Sequence, residues 1–474
     1  MIFDYSYLNL PTKFYSTANP KIFPKLEFIL LNKKLFKEFN ISIKSEDKLI
    51  KILFNLRNNK SYAQAYAGHQ FGHFTKLGDG RAIIIGEYLI KENKRIDIQL
   101  KGSGKTPYSK NGDGKATLKS MLREYLFSEA MHNLNIPSSR SIGVVKTGEK
   151  VHRKYFHDGG ILVRIMNCHI RIGTFEYASY FGSNADLKAL TSYTINRLYP
   201  LIRENENPAL DLLSSVMNKQ IELVVNWMRV GFIHGVMNTD NTSISGESFD
   251  YGPCAFMNIY KPDTSFSSID YHKRYSFENQ KQIIKWNLSR FAECLLPLIH
   301  KNKQISIDLA ISVINQFDII WEEKYYKMML KKIGINNNDK NLYMIVDDLL
   351  NLMDKYNLDY NNTFLSLFQK NVIDNKILNN SEFIKWKKKW INIINAHSNM
   401  SKSKILMSKY NPIVIPRNNL VEKSIDEAIN GNLKLFKKLL EVTSNPYNYK
   451  VGIEKFMIPP DLNFDKCYQT YCGT

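Results

Sequence analysis

Apolar residues change their period along this chain, and the change sorts it into two parts. Residues 81–88 and 95–101 are short, β-branched runs separated by a charged turn, which predicts two strands. At 116–134 the period becomes helical, with Leu118, Met121, Leu122, Tyr125, Leu126 and Ala130 on one face. Gly112 and Gly114 precede that helix, and Asn135-Ile136-Pro137 ends it. Residues 139–180 return to strand-like alternation around 143–145 and 161–165. From about 185 onward the stripes are helical, over 187–201, 210–231, 280–300 and a string from 305 to 410. The Asn-rich stretches 335–345 and 372–381 read as loops, and no internal repeat is visible.

Strands first and helices afterwards predict an α+β fold rather than alternating βα units. We place an N-terminal extension packing on the core at 1–60 and a β-rich N-lobe holding one long helix at 61–150. A larger, mostly helical C-lobe follows at 151–420, then a C-terminal helix and cysteine-containing tail at 421–474.

Composition narrows the class. With 474 residues, 44% hydrophobic, the chain can bury a large core, which excludes global disorder and small disulfide scaffolds. The 65 Lys and Arg against 45 Asp and Glu give +20, which raises a nucleic-acid or anionic-surface partner. Asn, Lys and Ile crowd every surface-like segment, however, so compositional bias explains the charge as well. The densest basic run, Lys387-Lys388-Lys389 between two Trp, fits the solvated face of a helix. Cys168, Cys254, Cys294, Cys467 and Cys472 form no CxxC, a poor disulfide or zinc framework. Without an evident secretory signal or an 18-residue apolar run, a soluble protein of the cytoplasm is expected.

Four clusters carry chemistry. Lys76-Leu77-Gly78-Asp79-Gly80-Arg81 is a Gly-x-Gly turn entering a strand, fit either to approach phosphates or simply to close a hairpin. Lys101 ends a strand ahead of Gly102-Ser103-Gly104-Lys105-Thr106, which mimics the tail of a P-loop. That reading fails because the earlier glycine is Gln99 and Pro107 interrupts the helix a P-loop needs. A strand lysine followed by a helix glutamate, here Glu124, instead matches the ion pair that kinase-like folds use on nucleotide phosphates. Arg164 and Arg171, seven residues apart, can fork onto phosphate oxygens or lie on the surface.

The fourth cluster is the most specific. Residues 231–241, GFIHGVMNTDN, follow an amphipathic helix and precede Asp250-Tyr251-Gly252. This is the order of a kinase catalytic loop and metal-binding segment, and it points to a protein-kinase-like bilobal fold. Asn241 and Asp250 offer hard oxygen ligands to Mg²⁺, and Asp240 a carboxylate able to take a hydroxyl proton. Ordinary kinases place the base Asp five residues before the metal Asn. Here that position is Val236, and Asp240 adjoins Asn241 instead, so altered chemistry is expected.

These motifs resemble the selenoprotein O family. The resemblance is carried by 65–72 (AYAGHQFG), 77–81 (LGDGR), 99–104 (QLKGSG), 123–126 (REYL), 128–131 (SEAM), 234–241 (HGVMNTDN) and 250–253 (DYGP). The terminal Cys472-Gly473-Thr474 is similar too. It runs densely from about 60 to 260 and more thinly to the last residue.

The resemblance implies a pseudokinase-like fold that moves AMP from ATP to protein hydroxyls, with the nucleotide flipped relative to ordinary kinases. UMP transfer from UTP is also ascribed to the family. By motif, Gly78, Gly80, Arg81, Lys101, Asp113, Gly114, Arg164, Arg171 and Asp250 would contact nucleotide, and Glu124 would pair with Lys101. Asp240 would accept the proton, and Asn241 and Asp250 would hold Mg²⁺ or Mn²⁺. The terminal Cys472 would act in a redox switch, with Cys254 or Cys467 as its partner, or stay a free thiol. ATP and hydroxyl-bearing proteins are then the expected partners, with no membrane and nucleic acid disfavoured. The competing readings are a kinase-like small-molecule phosphotransferase and a nucleotide-sensing pseudoenzyme.

Overall fold

The computed structural model describes residues 3–42, 44–54, 60–90, 94–369 and 380–471. Its first part is an antiparallel sheet built from β1 (Tyr15–Thr17), β2 (Glu27–Leu31), β3 (Tyr62–Gln70), β4 (His73–Gly78), β5 (Ala82–Leu89) and β6 (Arg95–Lys101). The short β7 (Ala116–Thr117) and the long β8 (Arg140–His152) and β9 (Phe156–Met166) complete it. Strand order is β1-β3-β5-β6-β9-β8-β2, with β4 paired to β3 and β7 to β9.

Two-residue periodicity makes the sheet two-faced. Ile96, Ile98 and Leu100 of β6 point to one side with Ile161, Val163 and Ile165 of β9. That side is covered by α1 (Lys33–Glu38) and α2 (Glu46–Leu53), through Leu35, Phe36, Leu49 and Leu53. Asp97, Gln99 and Lys101 alternate with those apolar residues and therefore face the other way. Within the described part of 1–60, β1 and β2 join the sheet and α1 and α2 cover its outer face.

On the opposite face lies α3 (Leu118–Asn133), packed against β8 and β9. Its predicted stripe is buried as expected, and Thr117 caps it by accepting from the Ser120 N–H. The boundary placed at 150 falls inside β8, because β8 and β9 form one hairpin and the sheet continues to Met166. The strand pattern read through 139–180 stops at Met166, since α4 (Ile172–Phe181) is a helix with both faces buried over its first two turns. Burial on all sides removed the periodic signal that would have marked it.

The helical part continues with α5 (Asn184–Leu198), α6 (Pro208–Val230) and α7 (Gln280–Ile299). Between the last two, β10 (Phe232–Ile233) and β11 (Ala255–Phe256) pair and close a loop of about twenty residues on itself. Then come α8 (Lys303–Asn315), α9 (Phe317–Lys332), α10 (Tyr343–Lys355), α11 (Tyr360–Ser366), α12 (Ser381–His397) and α13 (Met400–Tyr410). The chain ends with α14 (Asn418–Ile429), α15 (Lys434–Thr443), α16 (Glu454–Met457) and α17 (Leu462–Cys467). The loop expected at 335–345 ends early, because α10 starts at Tyr343, and most of 372–381 lies outside the described residues. On α12 the basic run does face outward, while Trp386 and Trp390 are buried beside it. No described helix is long and apolar enough to cross a membrane.

Candidate active site

Strand parity and register assemble the centre of the site. Gln99 of β6 lies opposite Arg164 of β9, and both project to the face covered by α3. Arg164 Nε donates to Gln99 Oε1 at 3.1 Å, which leaves Nη1 to reach Glu124 Oε1 of α3 at 2.9 Å. Lys101, two residues along β6, donates to the other oxygen, Glu124 Oε2, at 2.6 Å. Asp250 completes a square. Its Oδ1 accepts from Lys101, and Arg164 Nη1 lies 3.3 Å from the same oxygen. Two cations and two carboxylates therefore share four contacts, and three of the four side chains are at least 95% buried.

Burial by itself would raise the pKa of Asp250, but Lys101, Arg164 and Arg81 outweigh it and hold the carboxyl well below its usual range. Asp250 is also the most open member, with 30% of its side chain exposed. Its backbone is left-handed at φ +64°, a conformation that Asp tolerates better than most residues and that clusters at functional sites. The turn carries Oδ1 to the cations and leaves Oδ2 without a hydrogen bond among the described residues.

A second layer sits beside the square. Arg171 caps the start of α4, with its guanidinium 4.1 Å from the Tyr66 ring and 5.0 Å from Phe249. Phe249 is also 5.4 Å from the Arg164 guanidinium, so one ring separates the two arginines. Arg171 Nη1 donates to the Asp240 carbonyl at 3.2 Å, and Nη2 lies 3.5 Å from Asp79 Oδ1. Asp240 itself is 8% exposed, and its Oδ1 is buried without a hydrogen-bond partner among the described residues. Burial pushes its carboxyl up to about 7; Arg171 opposes the shift, while Asp250 and Glu176 add to it. A carboxylate poised there suits a general base.

Asn241 follows in the same 3₁₀ turn (Thr239–Asn241), with Nδ2 donating to the Val236 carbonyl at 3.1 Å. Its side-chain oxygen accepts no hydrogen bond among the described residues. Two hard oxygens, on Asn241 and Asp250, suit a Mg²⁺-type cation that takes its remaining ligands from phosphate and water. No cluster of three or more His, Cys, Asp or Glu able to hold a metal exists among the described residues.

The remaining predicted residues are placed less directly. Gly78 and Gly80 form the turn between β4 and β5, with Tyr108 packed over it. Thr106 reinforces that contact by donating to the Asp79 carbonyl at 2.6 Å. Arg81 lines a cavity of about 380 Å³ together with Lys101, Glu124, Tyr251 and Gly252. Asp113 is engaged by both terminal nitrogens of Arg153, at 3.0 and 3.1 Å, and makes no hydrogen bond to the square. Gly114 lies on the same loop, its carbonyl accepting from the Gly104 N–H at 3.0 Å.

Sequence reading missed the supports. Arg123, beside Glu124, donates to the carbonyls of Gly252 (3.3 Å) and Cys254 (2.6 Å) and to Glu422 at 2.7 Å. It also reaches Tyr468 of the tail at 3.2 Å, and residues 468–471 wall the cavity beside Lys101. Glu176 accepts from Thr239 Oγ1 at 2.5 Å and lies 2.5 Å from His69 Nδ1, holding the residue just before Asp240. None of these contacts has a local spacing signal, since partners lie 63 to 345 residues apart.

Cys472 lies outside the described residues. Cys254 is fully buried, and burial pushes its thiol up to about 12, an unreactive state. Cys467 is exposed, and no disulfide joins the described cysteines.

A family model described as "Protein adenylyltransferase SelO" matches residues 2–444. A protein nucleotidyltransferase YdiU of Pelagibacter ubique is 49% identical over 478 residues, covering 100% of this chain and 99% of that protein. Its counterpart in Clostridium perfringens is 45% identical, covering 99% of this chain and 97% of the relative. Among solved structures, ROP2 from Toxoplasma gondii, described as a virulence factor with a protein-kinase fold and no enzymatic activity, matches at 9% identity. That match covers 77% of this chain and 97% of ROP2 at a TM-score of 0.25, too loose to carry an argument.

Proposed function

This chain belongs to the SelO family of protein adenylyltransferases, and we propose that it moves AMP from ATP to hydroxyl side chains of proteins through Asp240. The observation that carries this reading is the buried Asp240 carboxyl beside Asn241, its Oδ1 without a hydrogen-bond partner among the described residues, whereas an ordinary kinase loop has its base at the position of Val236.

The substrate hydroxyl oxygen attacks the α-phosphorus, and its proton goes to the Asp240 carboxylate. The bond from the α-phosphorus to the oxygen bridging α and β breaks, and pyrophosphate leaves. Asn241 and Asp250 would hold Mg²⁺ or Mn²⁺, which neutralises phosphate charge when bound. Lys101, Arg164, Arg81 and Arg171 bring positive charge to the triphosphate, and Glu124 keeps Lys101 and Arg164 extended toward it. Gly78 and Gly80 leave room at the turn, and Asp113 and Gly114 belong to the loop packed beside it. The family resemblance implies a nucleotide flipped relative to ordinary kinases, which would place the α-phosphorus at Asp240. A thiol switch at Cys472 belongs to this reading; the exposed Cys467 is the more accessible partner and Cys254 the better shielded one. Non-reducing peptide mapping of the oxidised protein tests it.

The function is tested by incubating the chain, Mg²⁺ and candidate proteins with α- or γ-phosphate-labelled ATP, or α-labelled UTP. Protein label from the α position, lost in Asp250→Ala, is the expected result. Label from the γ position would make the chain a kinase, and nucleotide binding without any transfer would make it a sensor.

A further inference from the structure

Gly68 lies directly against the Asp240 side chain, and the strand that carries it continues outward into an aromatic surface. His69, the next residue, stands 5.2 Å from the Trp286 ring of α7 and 5.2 Å from Phe74 of β4. Phe74 in turn lies 4.4 Å from Tyr180 and 6.2 Å from Phe181, at the end of α4. The stripe therefore runs without a break from the base to the surface, where Tyr180 is 61% and Phe181 43% exposed. Rings left in water at the end of a buried helix cost stability unless something covers them.

Cations border the stripe. Lys76 lies 4.9 Å from the Phe181 ring, and Arg274 and Arg290 lie 5.1 and 5.2 Å from Trp286. Arg290 is paired with Glu293, but neither the Lys76 ammonium nor the Arg274 guanidinium has a carboxylate partner among the described residues. Glu176, the carboxylate beneath the stripe, is already engaged by His69 and Thr239. Aromatic rings with arginine at their edges are the composition of energetic anchors at protein interfaces. Unpaired cations beside them favour a partner that brings carboxylates.

We propose that this stripe docks the protein being modified, and that it selects segments with aromatic and acidic side chains flanking the hydroxyl residue. The inference rests on the transfer reading above and adds the class of substrate. Partner rings would stack on Tyr180 and Phe181, and carboxylates would pair with Lys76 and Arg274, while the hydroxyl reaches Asp240 along β3.

The test uses the full chain, Mg²⁺, α-labelled ATP and two synthetic serine peptides that share a phenylalanine and differ in glutamate or lysine flanks. The wild type should show a KM for the glutamate peptide at least about fivefold below that for the lysine peptide, the effect of roughly 1 kcal/mol. The Tyr180→Ala/Phe181→Ala pair and Lys76→Glu, both on exposed side chains, should raise the glutamate-peptide KM about fivefold or more. For the aromatic pair, kcat and KM for ATP should stay within about twofold, because neither ring touches the square. Equal KM values for the two peptides, or unchanged values in both variants, would overturn this proposal alone. So would sedimentation showing that the aromatic pair instead holds two copies of the chain together. Absence of α-label transfer to any peptide or protein would overturn the parent reading.

Discussion

A Cβ placed on Gly68 would come within 2.6 Å of Asp240 Oδ1, and one on Gly173 within 3.2 Å of the Asp240 Cα. A side chain at position 68 would therefore meet the Asp240 carboxylate, and one at position 173 would crowd its backbone. The first contact is closer than real Cβ atoms come and the second is tighter than most, so the strand passes the carboxylate only because position 68 carries no side chain.

Gly68→Ala should therefore displace the carboxylate. Overpacking of this kind costs about 1–3 kcal/mol. We expect a melting temperature lowered by a few degrees with the fold retained, and a transfer rate at least about tenfold lower, since a small misplacement of a catalytic group is expensive. Steady-state kinetics and a thermal melt on one preparation check both, and a wild-type rate would show that Asp240 has more freedom than its packing implies.

The poised carboxyl has a stability signature as well. Its folded value, about 7, lies above the 3.8 of an exposed Asp, so between those values the folded state binds more protons than the unfolded chain. The stability contributed by this group is fully present below about pH 4 and is lost as pH rises through 7. The loss is on the order of 4 kcal/mol, at about 1.4 kcal/mol per unit. In metal-free buffer, Asp240→Asn should melt above wild type at pH 8, and the gap should close toward pH 4. Transfer should be lost at every pH. Parallel melting curves across that range would refute the assignment.

Arg123 ties three parts of the molecule together: α3, the carbonyls of Gly252 and Cys254 behind Asp250, and Tyr468 of the tail. Arg123→Lys keeps the charge but not the planar fork, and at a multiply bonded site that exchange is not conservative. We expect the transfer rate to fall about fivefold or more with little change in KM for ATP, because Arg123 positions Asp250. Limited proteolysis should cut the last residues sooner. Tail protection and kinetics both equal to wild type would remove Arg123 from that role.

The local pieces were legible because each follows a short-range rule. Alternation in 95–101 places Lys101 opposite the apolar face, and the helical stripe of 118–130 places α3 on the sheet. Glu124 illustrates the boundary. Its position in the helix was readable, but not its burial, since a glutamate among apolar neighbours is equally good at a solvent-facing i,i+4 pair. Asp113, named by motif, turned out to be held by Arg153 of the β8–β9 turn, a residue with no motif of its own.

Sequence alone determined the kinds of groups available, an Asp beside an Asn in a loop, a strand lysine and a helix glutamate, because periodicity and spacing act over a few residues. Only the tertiary structure decided that Lys101, Glu124, Arg164 and Asp250 share one square and that α1 and α2 cover the sheet. It also decided that the tail walls the cavity beside Lys101. Those relationships join residues up to 345 positions apart, and what selects them is the burial of apolar faces together with the need of each buried charge for a partner.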